Sequence, residues 1–281
     1  MSEIAPTPAA AMGGILVHAE PGDASRHRVA VAAALAREMG ARLIGLGAEM
    51  VQPLVASPYG GVNSAEWVVA MTKQIDDDLV AARETFIRDS AGVDSEWRAM
   101  REMPARALAA VARACDLVVV SAHPQTNYYR AADPAEVVMR SGRPVLVVPD
   151  QAQPLKGQAI VVAWKETREA RRALQDAMPF LQRAEKVVVV AVCGQDEAGA
   201  VQRQVDDVVA YLARRGVSAQ GKVSIAPDSG VVGELNNTAN SVGADLIVAG
   251  AYGQSRLREW VFGGVTRTLM DEPAHHLLLS H

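Results

Sequence analysis

Cysteine is nearly absent: the 281 residues include two, Cys115 and Cys193. They stand far apart, each beside an apolar run, where a lone thiol serves as a small core hydrophobe. They give no disulfide framework and no clustered ligand set for a metal. An excess of basic charge is missing too. Lys and Arg number 28 against 32 Asp and Glu, for a net charge of −4. That leaves no electrostatic footprint for nucleic acid or an anionic membrane. Long apolar runs are lacking, each falling well short of the ~20 residues that span a bilayer. The opening MSEIAPTPAAAMGG has no basic segment leading into an apolar one. Residues 1–12 therefore read as a disordered leader, and the expected location is the cytoplasm. Catalytic signatures are also missing. There is no GxSxG elbow, no HExxH and no paired Cys motif, so no enzyme constellation emerges from these signatures.

What is present is material for packed cores. Hydrophobic residues make up 49% and charged residues 21%, the balance of a soluble globular chain. The length suits one large domain or two ordinary ones. Internal repetition decides for two. GGILVHAE (13–20) matches QAIVVAWK (158–165), and each leads into an Ala/Arg-rich helical stretch. RLIGLGAEM then matches KVVVVAVCG, ACDLVVVSAH matches GADLIVAGAY, and GRPVLVVP matches PAHHLLLSH. The apolar runs are continuous rather than alternating, the pattern of parallel strands covered on both faces. Each half reads as β-α-β-α-β-α-β-α-β with right-handed crossovers. The expected division is a leader at 1–12, a first domain at 13–150, a linker at 151–157 and a second domain at 158–281. The first half also carries a long loop, QPLVASPYGGVNS (52–64), suited to covering a site or partner surface.

Open parallel sheets bind ligands beyond the carboxyl ends of their strands. There the second half carries GAYGQSRLREWVFGGVTRTL (250–269). Gly250, Gly253, Gly263 and Gly264 allow close backbone approach, and loop amides before a helix form an anion site. The spacing is neither GxGxxG nor GxxxxGK[ST]. Glycines at such a place also serve as plain turns.

The frame Gly-x2-Gly-x9-Gly, placed after the fourth strand, resembles that of the universal stress protein family in its tandem form. VTRTLM and the closing LLLSH resemble it as well, and the likeness covers nearly all of residues 13–281. The resemblance implies an α/β fold of two doubly wound domains, each a five-stranded parallel sheet of order 3-2-1-4-5 flanked by helices. It implies ATP as ligand, with Mg²⁺ as its companion. The phosphate loop would be Gly250, Gly253, Gln254, Gly263, Gly264, Val265 and Thr266; Ala163, Trp164, Lys165 and Val192 would meet the adenosine. Two positions depart from the family's pattern. Lys165 stands where an Asp is usual, and Lys cannot accept a hydrogen bond. Gly264 replaces a Ser or Thr and lacks its hydroxyl. The resemblance also implies pairing of the fifth strands, here VLVVP with HLLLS inside one chain, and association into a homodimer or with a protein partner.

The first half has no such glycines. His123-Pro124 stands at the loop, and Pro offers no N–H. Glu20, Asp23, Asp133 and Glu136 gather near this mouth, with His18, His27 and Arg130 as counterweights. An acidic mouth without loop amides repels a triphosphate. Glu20 and Asp23 are expected to cap the first helix, and DPAE (133–136) to open the last. His18 reads as a polar strand end, Met100 and Met103 as packing residues, and His275, His276 and His281 as no metal set. The functional expectation is a cytoplasmic stress-response protein. Its second domain binds an adenine nucleotide as an effector, and its first domain is structural or binds a partner. A nucleotide-free scaffold and a slow ATP hydrolase are the alternatives.

Overall fold

The computed structural model describes residues 12–52, 65–122, 127–150, 154–225, 227–253, 264–271 and 273–281. In the N-terminal half the order is β1 (Gly14–His18), α1 (Asp23–Met39), β2 (Arg42–Ala48), α2 (Ala65–Asp89), β3 (Ser95–Met100), α3 (Pro104–Val111), β4 (Leu117–Ser121), α4 (Pro134–Ser141) and β5 (Val145–Val148). In the C-terminal half it is β6 (Ala159–Trp164), α5 (Arg168–Asp176), α6 (Met178–Leu181), β7 (Lys186–Cys193), α7 (Ala198–Arg214), β8 (Ala219–Ile225), α8 (Gly230–Val242), β9 (Leu246–Gly250), α9 (Gly264–Asp271) and β10 (His276–Ser280).

The strands form one sheet of ten, ordered β3-β2-β1-β4-β5-β10-β9-β6-β7-β8. Each half is thus parallel with the order 3-2-1-4-5, as the resemblance implies. The join is antiparallel, with Leu277 opposite Val147, Leu278 opposite Leu146 and Leu279 opposite Val145. The fifth strands pair within the chain, and two otherwise open edges are closed. Because the join is antiparallel, the strands of the two halves run in opposite directions. Their carboxyl-end mouths therefore lie at opposite ends of the sheet.

The repeat extends to single hydrogen bonds. Asp116 accepts from the N–H groups of Gly13 (2.7 Å) and Gly14 (3.1 Å). Asp245 accepts from those of Lys156 (2.6 Å) and Gly157 (3.1 Å). Each Asp ties the start of its half's first strand to the start of its fourth. One expected helix is broken. The run 167–184 divides into α5 and α6 at Ala177, and Pro179 sits in the first turn of α6.

The continuous apolar strands bury both faces. Ile15, Val17, Leu146, Ile160, Val162 and Leu278 face α1, α5 and α7; Leu16, Val145, Val147, Val161, Leu277 and Leu279 face α3, α4, α8 and α9. Each core spans both halves. Cys115 is buried, as its surroundings imply, and burial pushes its thiol up to about 11; Cys193 is partly exposed at the end of β7. Among the described residues no helix is long and apolar enough to cross a membrane.

Gly45 in β2 makes room for an aromatic pair. A Cβ there would lie 2.6 Å from the ring of Phe86, which packs against Trp97 with centroids 5.5 Å apart and planes tilted by 41°. Overpacking of this kind costs roughly 1–3 kcal/mol. Gly45→Val is expected to destabilise the chain by at least that amount in urea unfolding, and Gly92→Asn, in an open left-handed turn, by far less.

Candidate functional site

The C-terminal mouth is built where β6 and β9 lie side by side and the strand order reverses. Thr167 caps α5, its Oγ1 accepting from Ala170 N (3.2 Å), and this starts the helix tight against the end of β9. Gly250 is the contact point. A Cβ there would sit 2.5 Å from the backbone nitrogen of Ala170 and 2.6 Å from the carbonyl carbon of Glu169. The close approach that demands glycine at Gly250 is therefore made by α5, which corrects the reading of a slot left open for a ligand.

At Gly253 a Cβ would lie 3.1 Å from Glu169 Oε2. Glu169 is 2% exposed, and Arg168 Nε lies 3.2 Å from its other oxygen. A buried carboxylate thus stands against the glycine frame, a residue the sequence reading missed. Ala163 pairs with Ala249 across β6 and β9 and is partly exposed. Lys165 is exposed just beyond β6. Trp164 is buried in the core beneath α5, and its indole Nε1 has no hydrogen-bond partner among the described residues. Val192, near the end of β7, is partly exposed.

Gly264 opens α9 with nothing near its missing Cβ; Val265 is partly exposed and Thr266 is buried. Since β9 and β10 are parallel, the crossover helix α9 runs against them. Its amino end therefore lies at the mouth. Gln254 and Gly263 lie outside the described residues. The strand-end residues, Gly253 and the start of α9 share one end of the sheet. Trp164 does not line that end with an open ring face.

The N-terminal mouth solves the same geometry differently. By strand register Ile15 corresponds to Ile160 and Leu117 to Leu246. Hence Glu20 corresponds to Lys165, Arg28 to Ala173 and Ser121 to Gly250. Arg28 is 1% exposed; its Nε donates to the His18 carbonyl (2.8 Å) and its Nη1 to Ser121 Oγ. Its Nη2 lies 3.5 Å from Glu20 Oε1, and His18 Nδ1 lies 3.2 Å from Glu20 Oε2. Glu20 is therefore no helix cap. α1 begins after Gly22, which makes no side-chain cap, and Asp23 is solvent-exposed. Asp133 does cap α4, accepting from Ala135 N (2.9 Å), with Pro134 in the first turn. His123 and Pro124 lie outside the described residues. On the far side Arg130 reaches Asp78 (3.2 Å) and Glu49 (3.9 Å). Where the second half has glycine and small residues, the first is filled by a buried guanidinium and its partners. Among the described residues no group of His, Cys, Asp or Glu could hold a metal ion.

No family model and no curated protein matches the sequence. Solved structures do match the fold over nearly the whole chain. A universal stress protein from Archaeoglobus fulgidus DSM 4304 superposes with a TM-score of 0.68 at 12% identity, over 95% of this chain and 97% of that one. The fold is that of the universal stress proteins, present twice in one chain. A protein of unknown function from Pseudomonas aeruginosa PAO1 is similar, at TM-score 0.58 and 15% identity, covering 96% of this chain and 92% of its own. So is a protein from Pseudomonas aeruginosa UCBPP-PA14, provisionally named a universal stress protein, at TM-score 0.57 and 15% identity over 96% and 93% of the two chains. In this universal stress protein fold the two copies keep their sheet order and differ in what fills their mouths.

Two titrating groups of the N-terminal mouth oppose each other. Burial pushes His18 down from 6.5 to about 4, and Arg28 adds to this while Glu20 resists. Burial pushes Glu49 up from 4.5 to about 7, with Arg130 pulling back and Asp78 and Glu20 pushing further. The lowered His18 makes stability rise with pH between about 4 and 6.5; the raised Glu49 makes it fall between 4.5 and about 7. The two slopes offset each other. Glu49→Gln is expected to leave the rising slope alone, at most about 1.4 kcal/mol per pH unit. It should also stabilise the chain above pH 7, where the wild type holds a half-buried charge. Urea unfolding from pH 4.5 to 8 checks both effects; an unchanged pH profile would contradict the assignment.

Proposed function

We propose that residues 158–281 form a nucleotide-binding domain that takes ATP or a related adenine nucleotide as a regulatory ligand. Residues 13–150 form a second domain of the same descent that has a structural or partner-binding role. The observation that carries this reading is the coincidence of three features at one end of the sheet. These are the Gly250–Gly253 frame, the β6/β9 reversal point and the amino end of α9. Loop and helix amides presented together at such a point favour a phosphate.

Gly253, Gln254, Gly263, Gly264, Val265 and Thr266 are the residues assigned to the phosphates, with Gly250 setting the strand end. Ala163, Lys165 and Val192 are assigned to the adenosine side, and Trp164 supports them from the core. Lys165 supplies a cation where the resemblance leads one to expect an acceptor. Mg²⁺ would come with the nucleotide. The nucleotide acts as an effector rather than as a substrate. A cytoplasmic stress-response protein is the setting in which such an effector has meaning. Association between whole chains, if it uses strands, falls to the outer edges β3 and β8.

A second reading, a scaffold without nucleotide, is favoured by Glu169. Its carboxylate stands against Gly253 and would face any phosphate bound there. Titration of the chain with Mg-ATP, followed by calorimetry and Trp fluorescence, separates the two. Binding is expected in the wild type. Gly253→Val should weaken it by at least about tenfold. Glu169→Gln should tighten it by about tenfold, the equivalent of ~1.4 kcal/mol of relieved repulsion. No binding by either the wild type or Glu169→Gln at millimolar ATP would leave the scaffold reading.

A further inference from the structure

The buried carboxylate of Glu169 has no counterpart in the first half. α1 begins at Asp23 and α5 at Arg168, so the alignment set by the strands carries into the helices. Glu169 then corresponds to Ala24. With alanine at that place, α1 packs against β1 and β4 all the same. The fold therefore does not call for a carboxylate here. Burying one is costly, and this one stands at the edge of a frame read as taking phosphate.

The geometry aims the charge at that frame. Glu169 Oε2 lies 3.1 Å from where a Cβ of Gly253 would stand, and the backbone of Glu169 itself lies against Gly250. Glu169 is 2% exposed, so dissolved salt screens its charge little. Arg168 Nε reaches the other oxygen at 3.2 Å, but the Arg168 side chain is 64% exposed. A guanidinium so well hydrated offsets the carboxylate only in part.

The charge therefore acts on whatever enters beside Gly253, and its repulsion grows with every negative charge that the ligand brings. Adenine and ribose are common to the adenine nucleotides, so differences among them fall on the phosphate side. A monophosphate meets the least repulsion there and a triphosphate the most.

On the nucleotide reading of this mouth, on which the inference rests, we propose that Glu169 is a specificity-determining residue. It filters ligands by charge, so that the C-terminal mouth takes adenosine monophosphate in preference to the di- and triphosphate. Mg²⁺ lowers the charge of the triphosphate and thereby weakens the filter.

The test is calorimetric titration of the full chain with AMP, ADP and ATP, first without Mg²⁺ and then with it. Without Mg²⁺ the wild type is expected to bind AMP at least about tenfold more tightly than ATP, with ADP between them. Mg²⁺ should narrow that gap. Glu169→Gln, similar in size and uncharged, should close it to within about threefold by tightening ATP more than AMP. A general loss of packing would weaken all three ligands without reordering them. Should circular dichroism show that Glu169→Gln does not fold, Arg168→Gln takes its place. It removes the offsetting guanidinium from an exposed position and should widen the gap by about threefold. The filter is overturned, with the nucleotide site left standing, if the wild type without Mg²⁺ binds ATP as tightly as AMP. It is overturned equally if folded Glu169→Gln, or Arg168→Gln in its place, leaves the gap unchanged. If neither the wild type nor Glu169→Gln binds any of the three at millimolar concentration, the nucleotide reading falls and the filter with it.

Discussion

The antiparallel pairing of β5 with β10 is the contact on which the rest of the architecture depends. Each half alone is an open sheet with one apolar edge strand, VLVV or HLLLS, whose unpaired backbone invites foreign strands. Joined, they become interior strands of a single sheet. Leu146 and Leu278 then meet in the core on one face, while Val145, Val147, Leu277 and Leu279 meet on the other. Secondary contacts, such as the Arg183–Glu38 ion pair (2.9 Å), add to the join from an exposed position and contribute little alone. The antiparallel sense also fixes function geometrically. It sends the two mouths to opposite ends of the molecule, so neither half can complete the other's site.

Within that frame the two mouths have taken opposite courses from the same positions. In the C-terminal half, Gly250 lets the first turn of α5 come down onto the strand end, and Ala173 keeps the interface small. In the N-terminal half, Ser121 stands at the equivalent strand end, and Arg28 projects from α1 to bond it. A buried guanidinium needs a counter-charge, since leaving it unpaired is strongly destabilising. Glu20 supplies the charge. Among the described residues, the cluster fills with a guanidinium and a carboxylate the place that glycine and small residues take in the other half.

Much of this was legible in the sequence. The paired motifs ACDLVVV and GADLIVA gave two copies, and their shared Asp116 and Asp245 prove to hold equivalent backbone turns. The glycine frame and the absence of one in the first half gave the asymmetry between mouths. Two determinants were passed over although their spacing carried a signal. Arg28 lies in step with Ser25, Ala32, Leu35 and Ala36 on the buried side of α1, and Glu169 is in step with Ala173 and Ala177 on that of α5. A charge on an apolar stripe implies a buried partner. Which partner it finds depends on strands distant in sequence, and that could not be read from the helices. Glu20 was misjudged for the same reason: near a helix start, a local cap is the obvious role, and the long-range claim of Arg28 overrides it.

The central claim is that one fold, used twice, presents two chemically different mouths at opposite ends of a shared sheet, with only the C-terminal one open to nucleotide. Amide hydrogen exchange of the full chain with and without Mg-ATP tests it most directly. The account predicts slowed exchange confined to segments around 163–170, 190–194 and 250–270, with 14–28, 46–50 and 117–136 unchanged. Protection that appears at the N-terminal mouth, or in both mouths alike, would contradict it.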